Sequence, residues 1–535
     1  MIHHNLLLII SLFFAMAILF VLSQRIKISY PIFLVIGGLA ISFIPTVPNI
    51  SIDPELVFLI FLPPLLFEAA WHTSWNRFLK WKRSIFLMGF GLVFFTSMGI
   101  AYFSVNIIPG FTLALGFLLG GIISPPDAVA ASSVLKGLNI PKRVVTILEG
   151  ESLVNDAASL TVFRFALAAI LTGQFVFREA AVNFMVLAVM GVFVGLVIAH
   201  ILYLVLKYWA KSSSITTPIT LIAPYLMYII AEEMEWSGVL AVVSGGLFLS
   251  FRSKDYLNYQ TRMQVKEVWE TVGFLLNGFV FILIGLELPV IMNGLVNDYT
   301  PGDGIKYGLI IAAMIIVLRI VLVYLVEYIP RWLSPSIRLK ERSAGPKLPF
   351  IIGWAGMRGV VSLASALAIP LTLQDGSEFP HRNLILFITF VVILVTLVFQ
   401  GLTLPFFIKL LKVDEVDEYV PAEVQLEDIR YRMAARSVSY LDENYGDEMK
   451  QYESISRIKE QYQRSMAATD RMRNKEGEEK ELVGRSRKLY KNIMLDLIAQ
   501  RRLFLNELEE EKKYDDYVIH DLENNLDLEE ARLNK

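Results

Sequence analysis

The sequence of 535 residues contains no cysteine and few charged side chains. The absence of cysteine excludes both a disulfide framework and a thiolate metal site. Charged residues make up only 19% of the chain and hydrophobic residues 55%, a balance outside the usual range of soluble globular domains. The formal net charge of −2 gives no sign of a nucleic-acid partner. This composition is typical of a membrane protein, so we expect the lipid bilayer as a partner.

Long hydrophobic runs recur along residues 1–412, and about 20 apolar residues suffice to cross a bilayer. They predict an all-α membrane protein with about thirteen transmembrane helices. The predicted spans cover residues 5–24, 30–46, 53–72, 84–105, 111–135, 144–172, 180–206, 215–233, 237–251, 269–292, 305–328, 349–370 and 383–411. The first run follows no basic leader and precedes no small-residue cleavage site, so we expect a retained span rather than a signal peptide.

The distribution of basic residues predicts the orientation of these spans. About twenty Lys and Arg residues lie in the loops after odd-numbered spans, against three after even-numbered spans. Because cytoplasmic loops carry the excess of Lys and Arg, we expect a multi-pass protein of the cell membrane with its N-terminus outside and its C-terminus in the cytoplasm.

The composition changes after Lys412, which predicts two domains: a transmembrane domain over residues 1–412 and a helical cytoplasmic tail over 413–535. The tail is highly charged and has no spanning segment. Apolar residues at helical spacing predict an amphipathic helix there. They are Leu489, Ile493, Leu497, Phe504 and Leu508. The tail could be a solvated helical hairpin, a dimerisation element or a regulatory domain.

Span six contains "GESLVNDAASL", in which charged residues interrupt an apolar run. Asp156 lies about 18 Å along this helix, near the middle of the bilayer. Ser152 lies four residues earlier and shares its face, whereas Glu151 points elsewhere. An ionisable residue at such a depth indicates a functional site by default. The alternative is a polar residue that hydrogen-bonds within the bundle.

Span five contains "GGIISPPDAVAASS". Pro125 and Pro126 have no backbone N–H, so a helix is expected to break there and leave carbonyl groups without donors. Asp127 then becomes the cap of the following half-helix. Such irregular backbone in a membrane is tolerated where it is buried in protein or lines a cavity. A proline kink with Asp127 acting only as a cap is the alternative.

Span twelve, "PFIIGWAGMRGVVSLASALAIP", has glycines on both sides of Arg358 and is also expected to break. A lone buried Arg needs an anion, and Glu151 is the candidate, so the sequence predicts an ion pair of Glu151 with Arg358. Spans five and twelve are an odd number of spans apart and run in opposite directions. The layout predicts inverted repeats, each with one broken helix, as in secondary transporters.

Two further polar residues interrupt apolar spans. Glu68 follows "FLPPLLF" in span three, and it is either part of the site or an interfacial carboxylate near a basic loop. Asn277 lies in "GFLLNGFVFILIGLELP" of span ten and has no clear role.

Five motifs together resemble the monovalent cation/proton antiporters of the sodium/proton exchanger type, in the branch with an Asn-Asp pair. They are "FLPPLLFEAA", "ISPPDAVAA", "GESLVNDA", "FVFILIGLEL" and "GWAGMRGVVSLASAL". The resemblance spans about residues 1–412. It implies about thirteen spans, with two broken helices that cross in a core domain, and a dimerisation domain, so a homodimer is expected.

The resemblance also implies the roles of single residues. Asp156 would bind the cation and the proton alternately, supported by Asn155 and Asp127. Ser152 and Glu68 would be further Na⁺ ligands, with a backbone carbonyl near Pro126. Glu151 and Arg358 would form a structural ion pair. The chain departs from the family where it reads Pro126-Asp127-Ala128, since members commonly read Thr-Asp-Pro.

The expected function is therefore secondary antiport of Na⁺ for H⁺ by alternating access, with Li⁺ or K⁺ as alternatives. The Asn-Asp pair implies one cation per proton and electroneutral exchange. No resident cofactor is expected, because Na⁺ and H⁺ are the transported ions. A K⁺/H⁺ antiporter and, less so, a cation channel remain the alternatives. No His-rich metal motif or Ser/His pair accompanies the spans, so an enzyme is not expected.

Overall fold

The structure is a computed structural model, and it describes most of the chain. The described residues are 2–26, 28–44, 54–138, 140–173, 177–210, 212–295, 299–340, 343, 345–373, 375–413, 415, 422–473, 478–510 and 516–534. Residues 45, 46 and 53, at the predicted ends of spans two and three, lie outside them. The chain divides into two compact units, Met1–Asp417 and Glu418–Lys535.

Helices make up most of the described part of the first unit, and its one strand-like feature there is an isolated bridge between Thr372 and Glu378. Its helices are α1 (Ile2–Ile26), α2 (Tyr30–Ser42), α3 (Pro54–His72), α4 (Trp75–Phe86), α5 (Val93–Ile107), α6 (Leu113–Ile123), α7 (Ala128–Leu135), α8 (Lys142–Thr172), α9 (Phe177–Tyr208), α10 (Ser213–Glu233), α11 (Gly238–Tyr256), α12 (Tyr259–Leu286), α13 (Leu288–Leu295), α14 (Pro301–Leu333), α15 (Pro335–Lys340), α16 (Lys347–Trp354), α17 (Val360–Leu367), α18 (Arg382–Leu394) and α19 (Gly401–Leu411). Short π-helical turns, Leu87–Leu92 and Val395–Gln400, join α4 to α5 and α18 to α19.

Eight helical segments of the described chain are long enough and apolar enough to cross a membrane. Other predicted spans are shorter apolar helices, such as α2, or are interrupted, such as α16 with α17. The predicted all-helical membrane fold is confirmed. Both predicted helix breaks are also confirmed, because α6 ends at Ile123 before α7 begins, and α16 ends at Trp354 before α17 begins.

Two sequence features explain local details of this helical packing. Helix α3 continues through Pro63 and Pro64, although each proline leaves a carbonyl of the preceding turn without its donor. The Tyr225 hydroxyl donates to the carbonyl of Ile60, at 3.0 Å, and replaces the donor that Pro64 lacks. Helices α9 and α11 pack closely at Gly195, where an added Cβ would overlap the carbonyl of Ala241.

The second unit has a small core of its own. Its helices are α20 (Ala422–Asn444), α21 (Gly446–Gln451), α22 (Glu453–Arg473), α23 (Glu478–Glu510) and α24 (Asp516–Asn534). Helix α20 packs on α22, and α23 packs on α24. Buried Ile498, Leu505, Ile519 and Leu526 form the core between α23 and α24. Of the apolar stripe predicted for this helix, Leu489, Ile493, Leu497 and Phe504 are exposed within the unit.

Candidate functional site

The two helix breaks cross inside the first unit. The backbone N–H of Asp127, in the break between α6 and α7, donates to the carbonyl of Met357, in the break between α16 and α17, at 2.7 Å. Backbone groups that the breaks remove from helical hydrogen bonding are thus satisfied by each other. Four half-helix ends meet at this point, two with free N–H groups and two with free carbonyl groups.

Asp127 satisfies both N-terminal ends. Its carboxylate accepts from the backbone N–H groups of Val129, at 2.8 Å, and Ala130, at 3.3 Å, at the start of α7. It also accepts from the N–H of Val360, which begins α17. An acidic group is stabilised at helix N-termini by both hydrogen bonds and the helix dipole. Gly359 permits this contact, because a Cβ there would overlap the Asp127 carboxylate.

Arg358 satisfies the carbonyl ends. Its Nε donates to the carbonyl of Ile123, the last residue of α6, at 3.0 Å, and a terminal guanidinium nitrogen donates to the carbonyl of Gly356, just after α16. Its own backbone N–H donates to the Thr396 hydroxyl at 3.1 Å. A cation is stabilised at a helix C-terminus. At this crossing, the negative charge of Asp127 therefore lies at the helix N-termini, and the positive charge of Arg358 lies at the helix C-termini.

The predicted ion pair of Glu151 with Arg358 is wrong. Glu151 forms a two-pronged ion pair with Arg319 of α14, with oxygen–nitrogen distances of 2.7 and 2.9 Å, and both side chains are 0% exposed. Backbone carbonyls accept from Nε and one terminal nitrogen of Arg358, while its other terminal nitrogen is buried without a hydrogen-bond partner among the described residues. The sequence carries one sign of this pair, because Arg319 is a lone Arg inside the apolar run "IIVLRIVLV" of span eleven.

A second buried ion pair joins the same two helices. Arg143 of α8 donates to Glu327 of α14 at 3.0 Å, and Arg331 approaches Glu327 at 2.8 Å. The Arg143 guanidinium also lies 4.1 Å above the ring of Trp81, a favourable cation–π geometry. Arg143 and Glu151 are eight residues apart, as are Arg319 and Glu327. Two ion pairs at matching spacing, Arg143 with Glu327 and Glu151 with Arg319, therefore hold the antiparallel helices α8 and α14 together.

A cavity of about 70 Å³ lies beside the crossing. Its lining includes Pro126, Asp127, Ser152, Asp156 and Asn277. The structure thus brings together four predicted site positions, and it also places Asn277, which had no clear role in the sequence, in the cavity wall. The Asn277 amide nitrogen donates to the carbonyl of Gly273 at 2.8 Å.

Asp156 differs from every other buried charge discussed so far. Asp156 is only 7% exposed, yet its carboxylate has no ion pair and no side-chain hydrogen bond within the described residues. The neighbouring Asn155 donates its amide to the carbonyl of Pro126 at 3.0 Å, which ties α8 to the broken helix. The Asn155 amide oxygen is buried with no hydrogen-bond partner in the described part of the chain.

Glu68 is not among the residues that line this cavity, although Leu65, Leu66 and Ala69 of the same helix are. Its carboxylate is 22% exposed and lies 3.4 Å from Nδ1 of His72, one turn along α3. The structure therefore separates Glu68 from the other predicted cation ligands, which are Asp156, Ser152 and the carbonyl of Pro126.

The chemistry of this cavity suits a small hard cation or a proton. Alkali and alkaline-earth cations take oxygen ligands, and the lining offers carboxylate, hydroxyl and amide oxygens. Asp127 already accepts backbone hydrogen bonds, whereas the Asp156 carboxylate is uncommitted. A single buried carboxylate can hold one cation or one proton, and charge neutrality favours exactly one occupant at a time.

Comparisons with known proteins agree on one family. A family model described as sodium/hydrogen exchanger, transmembrane, matches residues 9–410. The chain is 34% identical over 378 residues to the "Sodium, potassium, lithium and rubidium/H(+) antiporter" of Bacillus pumilus, covering 69% of this chain and 56% of that protein. It thus spans little more than half the length of that relative.

Two further comparisons cover almost the whole length of the protein that is compared with this chain. An uncharacterized Na(+)/H(+) exchanger of Mycobacterium bovis is 28% identical over 537 residues, covering 99% of this chain and 96% of that protein. The solved structure of the sodium proton antiporter MjNhaP1 from Methanocaldococcus jannaschii at pH 8 matches with a TM-score of 0.59 at 19% identity, covering 76% of this chain and 99% of that one. At this level of identity, the likeness shows that the two proteins share a fold.

Proposed function

The chain belongs to the sodium/hydrogen exchanger family, and from that premise we propose that it exchanges Na⁺ for H⁺ across the cell membrane. The observation that carries the proposal is the buried, uncommitted carboxylate of Asp156 beside the crossing of two broken helices. Antiport needs a site that is stable with either ion but costly when empty. A carboxylate taken out of water without a counter-charge has that property.

We assign the Na⁺ site to Asp156, Ser152 and the carbonyl of Pro126, with Asn155 and Asp127 as supporting residues. Asn155 supports the site by fixing the Pro126 carbonyl, and Asp127 by holding the two half-helices together. Glu68, which the resemblance also implied as a ligand, lies outside the cavity wall, so it is not part of this assignment.

One uncommitted carboxylate supports exchange of one Na⁺ for one H⁺, which is electroneutral. The ions exchange by alternating access, in which the helices around the crossing open the site to one side of the membrane and then to the other. The N-terminus lies outside and residues 413–535 form a cytoplasmic tail, as the Lys and Arg distribution favours. The working unit is a homodimer.

K⁺/H⁺ exchange is the second candidate, and Li⁺ is an alternative cation. The Bacillus pumilus relative is named for sodium, potassium, lithium and rubidium, so a similar site in this chain can accept more than one alkali cation. The position next to Asp127 is Pro126, without a side-chain hydroxyl, which leaves fewer polar groups to distinguish the cations by size.

The test is ion flux in liposomes that contain the purified protein. An outward proton gradient should drive uptake of radioactive Na⁺, and the same measurement with K⁺ and Li⁺ ranks the three cations. Electroneutral exchange predicts uptake that does not change when K⁺ and valinomycin clamp the membrane potential. Na⁺ flux without proton movement would identify a channel and overturn the proposal, and uptake of K⁺ alone would select the second candidate.

A further inference from the structure

A second and much larger cavity lies on the opposite side of α8 from the ion site. Its volume is about 590 Å³, and it is enclosed by the π-helical turn after α4 and by α5, α6, α8 and α9. Ser152 and Asp156 face the ion cavity, while Ala158, Thr161 and Val162 of α8 face this one. The two cavities therefore share the helix that carries the transport carboxylate.

Among the described residues that line this cavity, none offers a free polar group to a ligand. It consists of aromatic and aliphatic side chains, with Thr161 as the one hydroxyl-bearing residue. The Thr161 hydroxyl already donates to the carbonyl of Ala157 at 2.7 Å. An apolar cavity without polar partners does not hold ordered water. Its occupant must therefore be apolar.

The size of the cavity distinguishes between apolar occupants. A cavity of about 150 Å³ is enough for a benzene ring, so this one takes a group several times larger. One turn of a helix, about 11 Å wide and 5.4 Å long, fills roughly 500 Å³. A transmembrane helix of a second copy could therefore insert no more than about a turn, whereas a thin hydrocarbon chain can thread the whole space.

The cavity opens toward the lipid-facing side of the unit. Met185, on its rim, is 63% exposed, and the exposed apolar face of α9 continues from it through Val189 and Phe193. This face belongs to the segment Val182–Tyr208, which is long and apolar enough to span a membrane. The opening thus continues into a surface that meets lipid hydrocarbon.

We propose that this cavity binds one acyl chain of a membrane phospholipid, inserted between α9 and the helix that carries Asp156. The inference rests on the proposed function only through the membrane placement of these helices. Gly91 lines the cavity, and a Cβ there would have no atom within 4 Å, so a larger side chain at this position has room to enter the space. Gly91 lies in the π-helical turn Leu87–Leu92, and such turns are frequent at functional sites.

The test uses the full chain in liposomes of phosphatidylethanolamine and phosphatidylglycerol that contain a trace of phosphatidylcholine with a diazirine midway along one acyl chain. After irradiation and digestion, mass spectrometry locates the lipid adducts. We expect adducts on the inner wall at Thr161 and Val162 as well as on exposed Val189. Gly91→Phe fills the space and should remove the inner-wall adducts, while those at Val189 remain.

Val189→Phe is the matched control, because it adds the same ring to the exposed surface of α9 and should leave the inner-wall adducts unchanged. Adducts confined to exposed positions, inner-wall adducts that persist in Gly91→Phe, or cross-links from this face to a second copy in place of lipid would each overturn the proposal.

Asp156→Asn separates this proposal from the proposed function. That variant should lose antiport and keep the inner-wall adducts. Wild-type protein that is labelled at Thr161 but does not exchange Na⁺ for H⁺ would refute the function and leave the lipid site standing. Protein that exchanges Na⁺ for H⁺ but carries no adducts on the inner wall would support the function and refute the lipid site.

Discussion

Two stretches of α8 carry charge, and they differ in whether that charge is neutralised. In the first, Arg143 and Glu151 each pair with an oppositely charged residue of α14. In the second, the Asp156 carboxylate has no such partner among the described residues, although it is nearly as buried. Paired charges fix a helix in place, whereas an uncommitted one is free to bind an ion from solution. In the proposed exchanger, α8 thus combines ion pairs that hold it in place with the carboxylate that binds the transported ion.

The same contrast explains why neither stretch can replace the other. Removing one partner of a buried ion pair costs about 3–5 kcal/mol, so we expect Glu151 and Arg319 to stay paired during transport. Under the proposed function, Asp156 avoids this cost because a cation or a proton takes the missing partner's place. Substitutions in the two stretches should therefore affect different properties.

The largest expected effect is complete loss of antiport in Asp156→Asn. The substitution keeps the shape of the side chain but removes its ability to ionise, so neither ion is held. We expect a folded protein with a thermal midpoint close to that of the wild type and with Na⁺ uptake at the background of empty liposomes. Asp375→Asn, which neutralises an exposed carboxylate outside the predicted spans, is the control and should transport normally. Uptake above background in Asp156→Asn would place the site elsewhere.

The anchoring stretch should respond in stability rather than in ion affinity. Arg319→Ala leaves Glu151 buried without a partner, and we expect a loss of about 3–5 kcal/mol, measured as a fall in the thermal midpoint in detergent. The double variant Glu151→Leu with Arg319→Met replaces the pair by apolar groups and should recover much of the loss. An unchanged midpoint in Arg319→Ala would mean that the pair does not anchor α8.

Arg358 provides a finer test, because the sequence alone predicts it as the partner of Glu151. It donates to two backbone carbonyls instead, so its removal leaves neutral acceptors without a partner, whereas removal of Arg319 leaves a buried charge, which costs more. We expect Arg358→Ala to destabilise the protein by less than Arg319→Ala. A double-mutant cycle between Glu151 and Arg358 should give a smaller coupling energy than the cycle between Glu151 and Arg319. Equal couplings would show that both arginines share the carboxylate.

The sequence predicted the parts of the site that depend on local chemistry. The break in span five follows from Pro125 and Pro126, which lack backbone donors, and the role of Asp127 as a cap follows from its place after them. Asp156 stands out because a carboxylate in an apolar run is costly. Each of these arguments needs only neighbouring residues, and the structure agrees with the two breaks and the cap.

The partner of Glu151 could not be predicted from neighbouring residues in the sequence. Arg319 is 168 residues away in the chain, and which of two buried arginines approaches Glu151 depends on how α8, α14 and the second break pack together. The place of Glu68 is a similar case, since its rotation about α3 decides between the cavity and His72. Hydrophobic periodicity identifies a helix but does not determine its rotation when apolar residues surround it on all sides.

The smallest expected effect concerns competition between the two ions at Asp156. If one carboxylate serves both, then below its pKa most sites carry a proton, and the apparent affinity for Na⁺ should weaken about tenfold per pH unit. Saturating Na⁺ should restore the rate, because competition changes affinity and not the maximal rate. The measurement is the Na⁺ dependence of uptake at several acidic pH values. Removing residues 413–535 is the control, since competition within the membrane unit does not involve the tail. An apparent Na⁺ affinity that stays constant across acidic pH, or a maximal rate that falls with pH only when the tail is present, would contradict a shared site and favour a separate pH sensor.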